Sequence, residues 1–379
     1  MTFSTPSRLS RLAHLARLAR LARLVRLPLL AAVLFSLTCT QATLATAAST
    51  ASNAQTIMDA MARANAAVVG VKVTAVKEAR SARTLGLNRS GSGVVIGSDG
   101  LILTIGYLML EAQQIEITTP AGKTLPAVAV AYDQATGFGL IKPLLPMRGV
   151  APVPLGSLQD VNPGEPLLAA TGATADGDEG GASLTQLVSK RAFSGSWEYH
   201  LDMALFTSPP VSSTSRSGVG NHSGAPLFNS AGELMGIGSL FVLDALGPNG
   251  EVGKRMPGNM FVPIDLLKPI LAEMQQSGSS KQSNRPWLGL TSSDQGGSVR
   301  VVRVAEGSPA DDAGLSPGVV VQAVDGAPVT TLEAFYKKLW AHEAQDQPVK
   351  LTVRDGEEVK IIDIQPQNRM LSLKKPAGI

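Results

Sequence analysis

Apolar residues recur along the chain in short runs separated by glycine- and proline-containing turns. Val68–Val76, Gly93–Ile96, Leu101–Thr104, Ile115–Thr118, Val128–Tyr132 and Gly139–Ile141 are rich in β-branched and aliphatic side chains, and the pattern predicts strands. Turns such as Ser98-Asp99-Gly100 and Pro120-Ala121-Gly122 divide them. Strand signals resume at Leu184–Val188, at Leu227-Phe228 and across Leu234–Phe241. Helical spacing is limited to three stretches. One is a short lead over Ala54–Ala66, and one is Pro263–Gln275, with Leu266, Leu267, Ile270, Leu271 and Met274 as its apolar set. The third places Leu332, Phe335, Tyr336, Leu339 and Trp340 on one helical face. Many short strands with little helix describe an all-β-dominated barrel or sandwich, and the strand-rich region 54–275 is of a size for two small barrels. The polar, glycine-rich tract Ala173–Gly181 predicts a loop. The serine-rich stretch 276–285 predicts a flexible linker, followed by a compact domain over 286–370 and a short tail, 371–379.

Composition narrows the chemistry. The 379 residues include one cysteine, so an intramolecular disulfide, a zinc finger, an iron–sulfur cluster and a CxxC redox pair are all excluded. Aromatic residues make up only 4%, too few for a stacking platform for single-stranded nucleic acid. The formal net charge of +3 is misleading, because residues 1–47 carry six arginines and no acidic residue. That segment continues with an apolar stretch, Leu27–Leu37, and a small-residue tract, Leu44-Ala45-Thr46-Ala47-Ala48. A positive region, a short apolar region and an Ala-x-Ala exit describe a signal peptide over 1–47, cleaved after Ala47. A transit peptide or a start codon placed too early are the rival readings. Cleavage would remove Cys39 and all six arginines, turning the net charge negative, so nucleic acid is not an expected partner. The expected location is periplasmic or secreted, with no stable membrane span after cleavage, or else anchorage by an uncleaved N-terminus.

Several stretches imitate known sites without completing them. Gly91-Ser92-Gly93 with Gly97 lacks the following helix and Lys-Ser/Thr of a nucleotide loop. Asp176-Gly177-Asp178-Glu179 lacks the remaining spacing of a calcium loop. No histidine pair has HExxH spacing, and neither a metal nor a cofactor is expected. Among the histidines, His200 is expected at the surface or a strand end, His222 in an exposed loop and His342 at a helix end.

Asn221-His222-Ser223-Gly224-Ala225-Pro226-Leu227 has the small residues that let backbone amides approach a substrate carbonyl beside a serine. Gly91–Ile96 and Asp99–Thr104 resemble the opening of HtrA/Deg-family serine proteases. Asp133-Gln134-Ala135-Thr136 with Leu140-Ile141-Lys142, Gly232–Gly238 and Phe261–Asp265 resemble that family's later landmarks. The resemblance runs from about Gln55 to Met274, and implies a trypsin-like double β-barrel. It implies Ser223 at the nucleophile position, with Asn221 and His222 in the oxyanion loop. It also places Tyr107 where the family has its catalytic histidine and Gly137 where it has its aspartate, so the triad is degenerate. A neutral phenol with an ordinary pKa of about 10 is a poor base, and glycine cannot orient one.

Pro286-Trp287-Leu288-Gly289-Leu290, Ser308-Pro309-Ala310, Ala313–Gly318 and Val324-Asp325-Gly326 resemble a PDZ domain, an α+β module. The resemblance makes Trp287, Leu288, Gly289 and Leu290 the loop whose amides receive a peptide's terminal carboxylate while the peptide adds to a sheet edge. The resulting expectation is an HtrA-like pseudoprotease that binds peptides, C-terminal tails or unfolded protein, with a chaperone-like or regulatory role, in company with an active HtrA relative. A serine endopeptidase using Ser223 with a non-standard base, and a structural subunit without peptide binding, are the alternatives.

Overall fold

The computed structural model describes residues 55–174, 180–211, 222–247, 255–294, 296–342 and 347–374. The expected signal peptide, the Asp176–Glu179 loop and Asn221 lie outside them. The chain divides into two units, residues 1–59 and 60–379, and every site described below lies in the second.

Twelve strands form two closed antiparallel barrels. The first contains β1 (Val68–Ala75), β2 (Asn88–Val95), β3 (Ile102–Ile105), β4 (Ala112–Thr118), β5 (Thr124–Tyr132) and β6 (Phe138–Pro143), in the order β1-β2-β3-β6-β5-β4. The second contains β7 (Pro166–Thr171), β8 (Gly181–Gly195), β9 (Tyr199–Ser208), β10 (Pro226–Phe228), β11 (Leu234–Val242) and β12 (Gly258–Pro263), in the order β10-β11-β12-β9-β8-β7. Closure leaves no unpaired edge, and the inward side chains fill the interior. One apolar cluster runs through both barrels, including Val69, Ile102 and Phe138 from the first and Phe206, Met260 and Val262 from the second. That shared core explains why β3 and β12 are buried along their whole length, even at Thr104 and Asn259.

The helix expected over Pro263–Gln275 is shorter. Pro263 closes β12, a single 3-10 turn follows over Ile264–Leu266, and the α-helix proper is α1, Leu271–Ser277. Gly278 ends it in the left-handed conformation (φ +79°), which glycine adopts at little cost.

The stretch 276–285 is not the free linker its composition suggests. Ser280 and Ser283 are buried, and both hydroxyls donate to the Asp133 carboxylate on the β5–β6 turn. Thr136 donates its amide (2.9 Å) and its hydroxyl (2.6 Å) to the other oxygen of the same carboxylate. The reason is tertiary: a buried carboxylate from a distant turn needs donors, and these serines provide them.

The last domain is built on β14 (Leu290–Ser293), β15 (Val299–Val304), β16 (Val320–Val324), β17 (Ala327–Pro328), β18 (Val349–Asp355) and β19 (Glu358–Ile364), with β13 (Pro286–Trp287) paired to β20 (Gln367–Asn368). Its helix α2 (Leu332–Trp340) is capped by the Thr331 hydroxyl and turns Leu332, Phe335, Tyr336 and Leu339 onto the sheet, as the spacing predicts. The expected tail begins ordered. Arg369–Ser372 form a helical turn, and Lys374 donates its amide to Glu111 and its ammonium to Glu78, both on the first barrel.

Candidate functional site

Tyr107 and Ser223 come from different barrels. Tyr107 sits in a 3-10 turn, Gly106–Met109, directly after β3. The buried Arg89 guanidinium clamps that turn by donating to the carbonyls of Tyr107 (3.1 Å) and Leu110 (2.7 Å). Ser223 stands in the turn before β10, where its carbonyl accepts the Ser92 amide of the first barrel at 2.8 Å. Gly224 lets the backbones come this close. At φ +76°, a Cβ there would lie 2.0 Å from the Ser92 carbonyl oxygen.

The phenol oxygen of Tyr107 lies 2.7 Å from Ser223 Oγ and 2.7 Å from the carbonyl oxygen of Ser239. A phenol has one proton, and a carbonyl can only accept. The Tyr107 proton therefore goes to Ser239, and the Ser223 hydroxyl donates to the phenol oxygen. Burial pushes the Tyr107 phenol up to about 12, outweighing the Ser223 hydrogen bond that favours the phenolate. At neutral pH the serine thus faces a neutral phenol oxygen, which has almost no tendency to take a proton.

Gly137 has φ +84°, a conformation that side chains disfavour. The space a Cβ would enter is already approached by the Tyr199 hydroxyl, at 3.1 Å. That hydroxyl donates to the Thr136 carbonyl at 2.6 Å. Among the described residues Asp133 does not serve Tyr107: it is turned to its serine and threonine donors, which hold its pKa below the usual carboxylate value although burial opposes them.

The histidines lie elsewhere. His200 opens β9 as a strand-end residue, but it is buried rather than superficial, with Nδ1 2.9 Å from Ser194 Oγ and Nε2 3.2 Å from Asp202. His222 is half-buried rather than exposed. His342 follows α2 and pairs with Asp325 at 2.9 Å. His200, Asp202 and Glu333 bring three ligand-type atoms within 4.8 Å of one another. The Lys337 ammonium already lies 2.6 Å from Asp202 and 2.8 Å from Glu333, so the two carboxylates have their cation.

In the 287–290 loop Gly289 turns the backbone at φ +89°. Its amides are not open, however. Leu288, Gly289 and Leu290 donate to the carboxylate of Glu198, at 3.0, 2.7 and 2.6 Å. Glu198 lies in the β8–β9 turn of the second barrel and is buried. Nothing in the sequence around Trp197-Glu198-Tyr199 marks that acid, because its partners lie ninety residues away in another domain. Arg89, Tyr199 and Ser239 were equally silent, since each acts through a backbone carbonyl.

Residues 91–237 match the trypsin-like peptidase domain family, and residues 286–365 match the PDZ domain family. The chain is 27% identical to serine protease PepD of Mycobacterium tuberculosis, over 71% of this chain and 58% of that one. It is 26% identical to serine endoprotease DegS of Haemophilus influenzae, over 62% of this chain and 65% of that one. In both cases the match spans less than two thirds of the relative. The solved HtrA-type protease AlgW with a tripeptide aligns with a TM-score of 0.49 at 18% identity, over 84% of this chain and 98% of that one. The two domain matches, in this order, and the likeness to PepD and DegS make this an HtrA-like chain, a trypsin-like peptidase domain followed by a PDZ domain.

Proposed function

We propose that this chain is a non-catalytic member of the HtrA-like proteins that binds peptide or unfolded protein segments. The observation that carries the reading is the contact between Ser223 and the buried, neutral Tyr107 phenol. A serine hydroxyl attacks a carbonyl only when a base takes its proton, and that base must itself be oriented. Here the base position is protonated until about pH 12, and the orienting position is glycine. The PDZ domain supports the peptide-binding half of the reading, since such modules add an extended peptide to a sheet edge. A regulatory role beside an active HtrA relative fits a chain that keeps the binding apparatus and not the base. The arginine-rich start, apolar stretch and Ala45-x-Ala47 exit support export to the periplasm or the exterior, with the mature chain starting at Ala48.

Fluorophosphonate labelling and casein degradation by the full chain and by Ser223→Ala test this. The expected result is no labelling above the Ser223→Ala background and no degradation by either. Labelling of the wild type that Ser223→Ala abolishes would instead establish a serine endopeptidase with a non-standard base.

A further inference from the structure

The four residues at the tip of the β8–β9 hairpin, 195–198, lie between β14 and α2. Along β14 one edge is taken by β15, paired from Leu290↔Val304 to Ser293↔Arg300. On the other edge, the Ser292 amide donates to the Ser196 carbonyl at 2.7 Å, so a turn residue of the hairpin takes the donor that an added peptide strand would otherwise use. From the helix side, the Tyr336 hydroxyl donates to the Gly195 carbonyl at 2.8 Å and accepts the Glu198 amide at 3.3 Å. Two residues beyond Ser196, the Glu198 carboxylate takes all three amides of the 288–290 loop. A carbonyl bonded to the free edge of β14, followed by a carboxylate in that loop, is the pair of features by which a chain terminus is held. Here both come from the interior of the same chain.

The backbone is bent to achieve this. Glu198 has φ +58°, in the left-handed region that a residue with a Cβ disfavours. A glycine would suit that turn better, so the turn alone gives no reason for a glutamate. The carboxylate is also buried, which is costly unless donors surround it. Here the three loop amides supply them. The flank is fastened by Lys337 of α2 on Asp202 of β9, at 2.6 Å.

We propose that the hairpin tip 195–198 is an internal ligand of the PDZ domain, with Glu198 standing in for a C-terminal carboxylate, so that the groove is closed to outside peptides until the tip withdraws. Resting on the peptide-binding reading above, it adds that the binding site is self-occupied at rest. An internal ligand competes at the effective concentration of a tethered group, of the order of millimolar. A free peptide must exceed it, or something must pull the hairpin tip away.

The test uses the full chain with Glu198→Ala. Glu198→Gly is the second variant, because glycine accepts φ +58° and keeps the turn. The probe is a pool of fluorescein-labelled decapeptides of random sequence with free C-terminal carboxylates, and the same pool amidated. Backbone amide exchange of residues 288–292 is measured without peptide. The expected result is that both variants bind the carboxylate pool at least about tenfold more tightly than the wild type, that amidation abolishes the gain, and that the 288–292 amides exchange at least about tenfold faster in the variants. Equal binding of the carboxylate pool by wild type and variants would overturn the inference and leave the peptide-binding reading standing. Binding by none of them would overturn the peptide-binding reading at the PDZ groove. The exchange rates would then decide the internal ligand alone, and equal rates would sink it.

Discussion

The Tyr199 hydroxyl lies 3.1 Å from where a Cβ on Gly137 would stand. Any side chain at Gly137 would therefore meet a tyrosine that is itself tied to the Thr136 carbonyl. On the proposed reading of Tyr107 and Gly137 as the base and acid positions, Tyr107→His with Gly137→Asp would place a histidine beside Ser223 but leave the carboxylate in a strained backbone and in contact with Tyr199. A serine–histidine pair without a correctly placed acid loses roughly 10⁴ in rate. The double variant is expected to label with fluorophosphonate within about tenfold of the wild-type background, and labelling kinetics would check this.

Removing the phenol oxygen alone should cost stability and nothing else. Tyr107→Phe leaves the Ser239 carbonyl and the Ser223 hydroxyl without this partner, a loss of about 1–2 kcal/mol. Urea denaturation would measure it. A gain of esterase activity in Tyr107→Phe would contradict the picture of an inert serine.

Asp133 joins the first barrel to the segment that precedes the PDZ domain. Hydrogen bonds from Ser280, Ser283 and Thr136 hold its pKa below the usual value against the opposing effect of burial. A carboxyl depressed in the folded state stabilises the fold above its unfolded pKa, near 3.8, and that contribution disappears as the pH falls through the lower folded value. Limited proteolysis within 276–285 is expected to be slow at pH 7 and to accelerate below about pH 4. Asp133→Asn is expected to lose about 2–3 kcal/mol at pH 7, read from chemical denaturation.

Glu198 gives the opposite sign. Burial pushes its carboxyl up to about 7, opposed by the three loop amides and by the positive charge of Arg369, against an ordinary value of 4.5. The Tyr336 phenol facing it stays neutral, its own value raised by burial. The docked tip therefore holds a proton that an undocked glutamate has already released. Docking strengthens as the pH falls from 7 towards 4.5, while a peptide's terminal carboxylate stays ionised throughout. Peptide binding to the wild type is expected to be about tenfold weaker at pH 6 than at pH 8, and nearly independent of pH in Glu198→Gln. Fluorescence anisotropy at the two pH values would read it.

Much of this architecture was legible in the sequence because it is written in local pattern. The spacing from Leu103-Thr104 pointed to Tyr107 as the residue to compare with Ser223, and the two side chains meet at 2.7 Å. The period of Leu332, Phe335, Tyr336 and Leu339 placed the PDZ helix. Strand β8 was read only over Leu184–Val188, although it continues to Gly195. Its polar stretch Ser189-Lys190-Arg191 is half-buried, with Ser189 and Arg191 donating to the carbonyls of Ala245 and Asp244 and the Arg191 guanidinium lying over the Phe206 ring. Ser280 and Ser283 looked like linker residues because the carboxylate that fixes them is about 150 residues away. Glu198 was invisible for the same reason, and it occupies the amides of the loop that the sequence singles out.

The fastening of the PDZ domain has a mechanical corollary. Ser280 and Ser283 tie its leading end to the first barrel through Asp133, and Lys374 ties its trailing end to the same barrel through Glu78 and Glu111. Both ends of the domain are thus pinned independently of the hairpin that fills its groove. Unseating that hairpin need not swing the domain like a door. It is a latch of four residues sliding out of a fixed socket, so a peptide could enter with the two barrels and the module around it standing still.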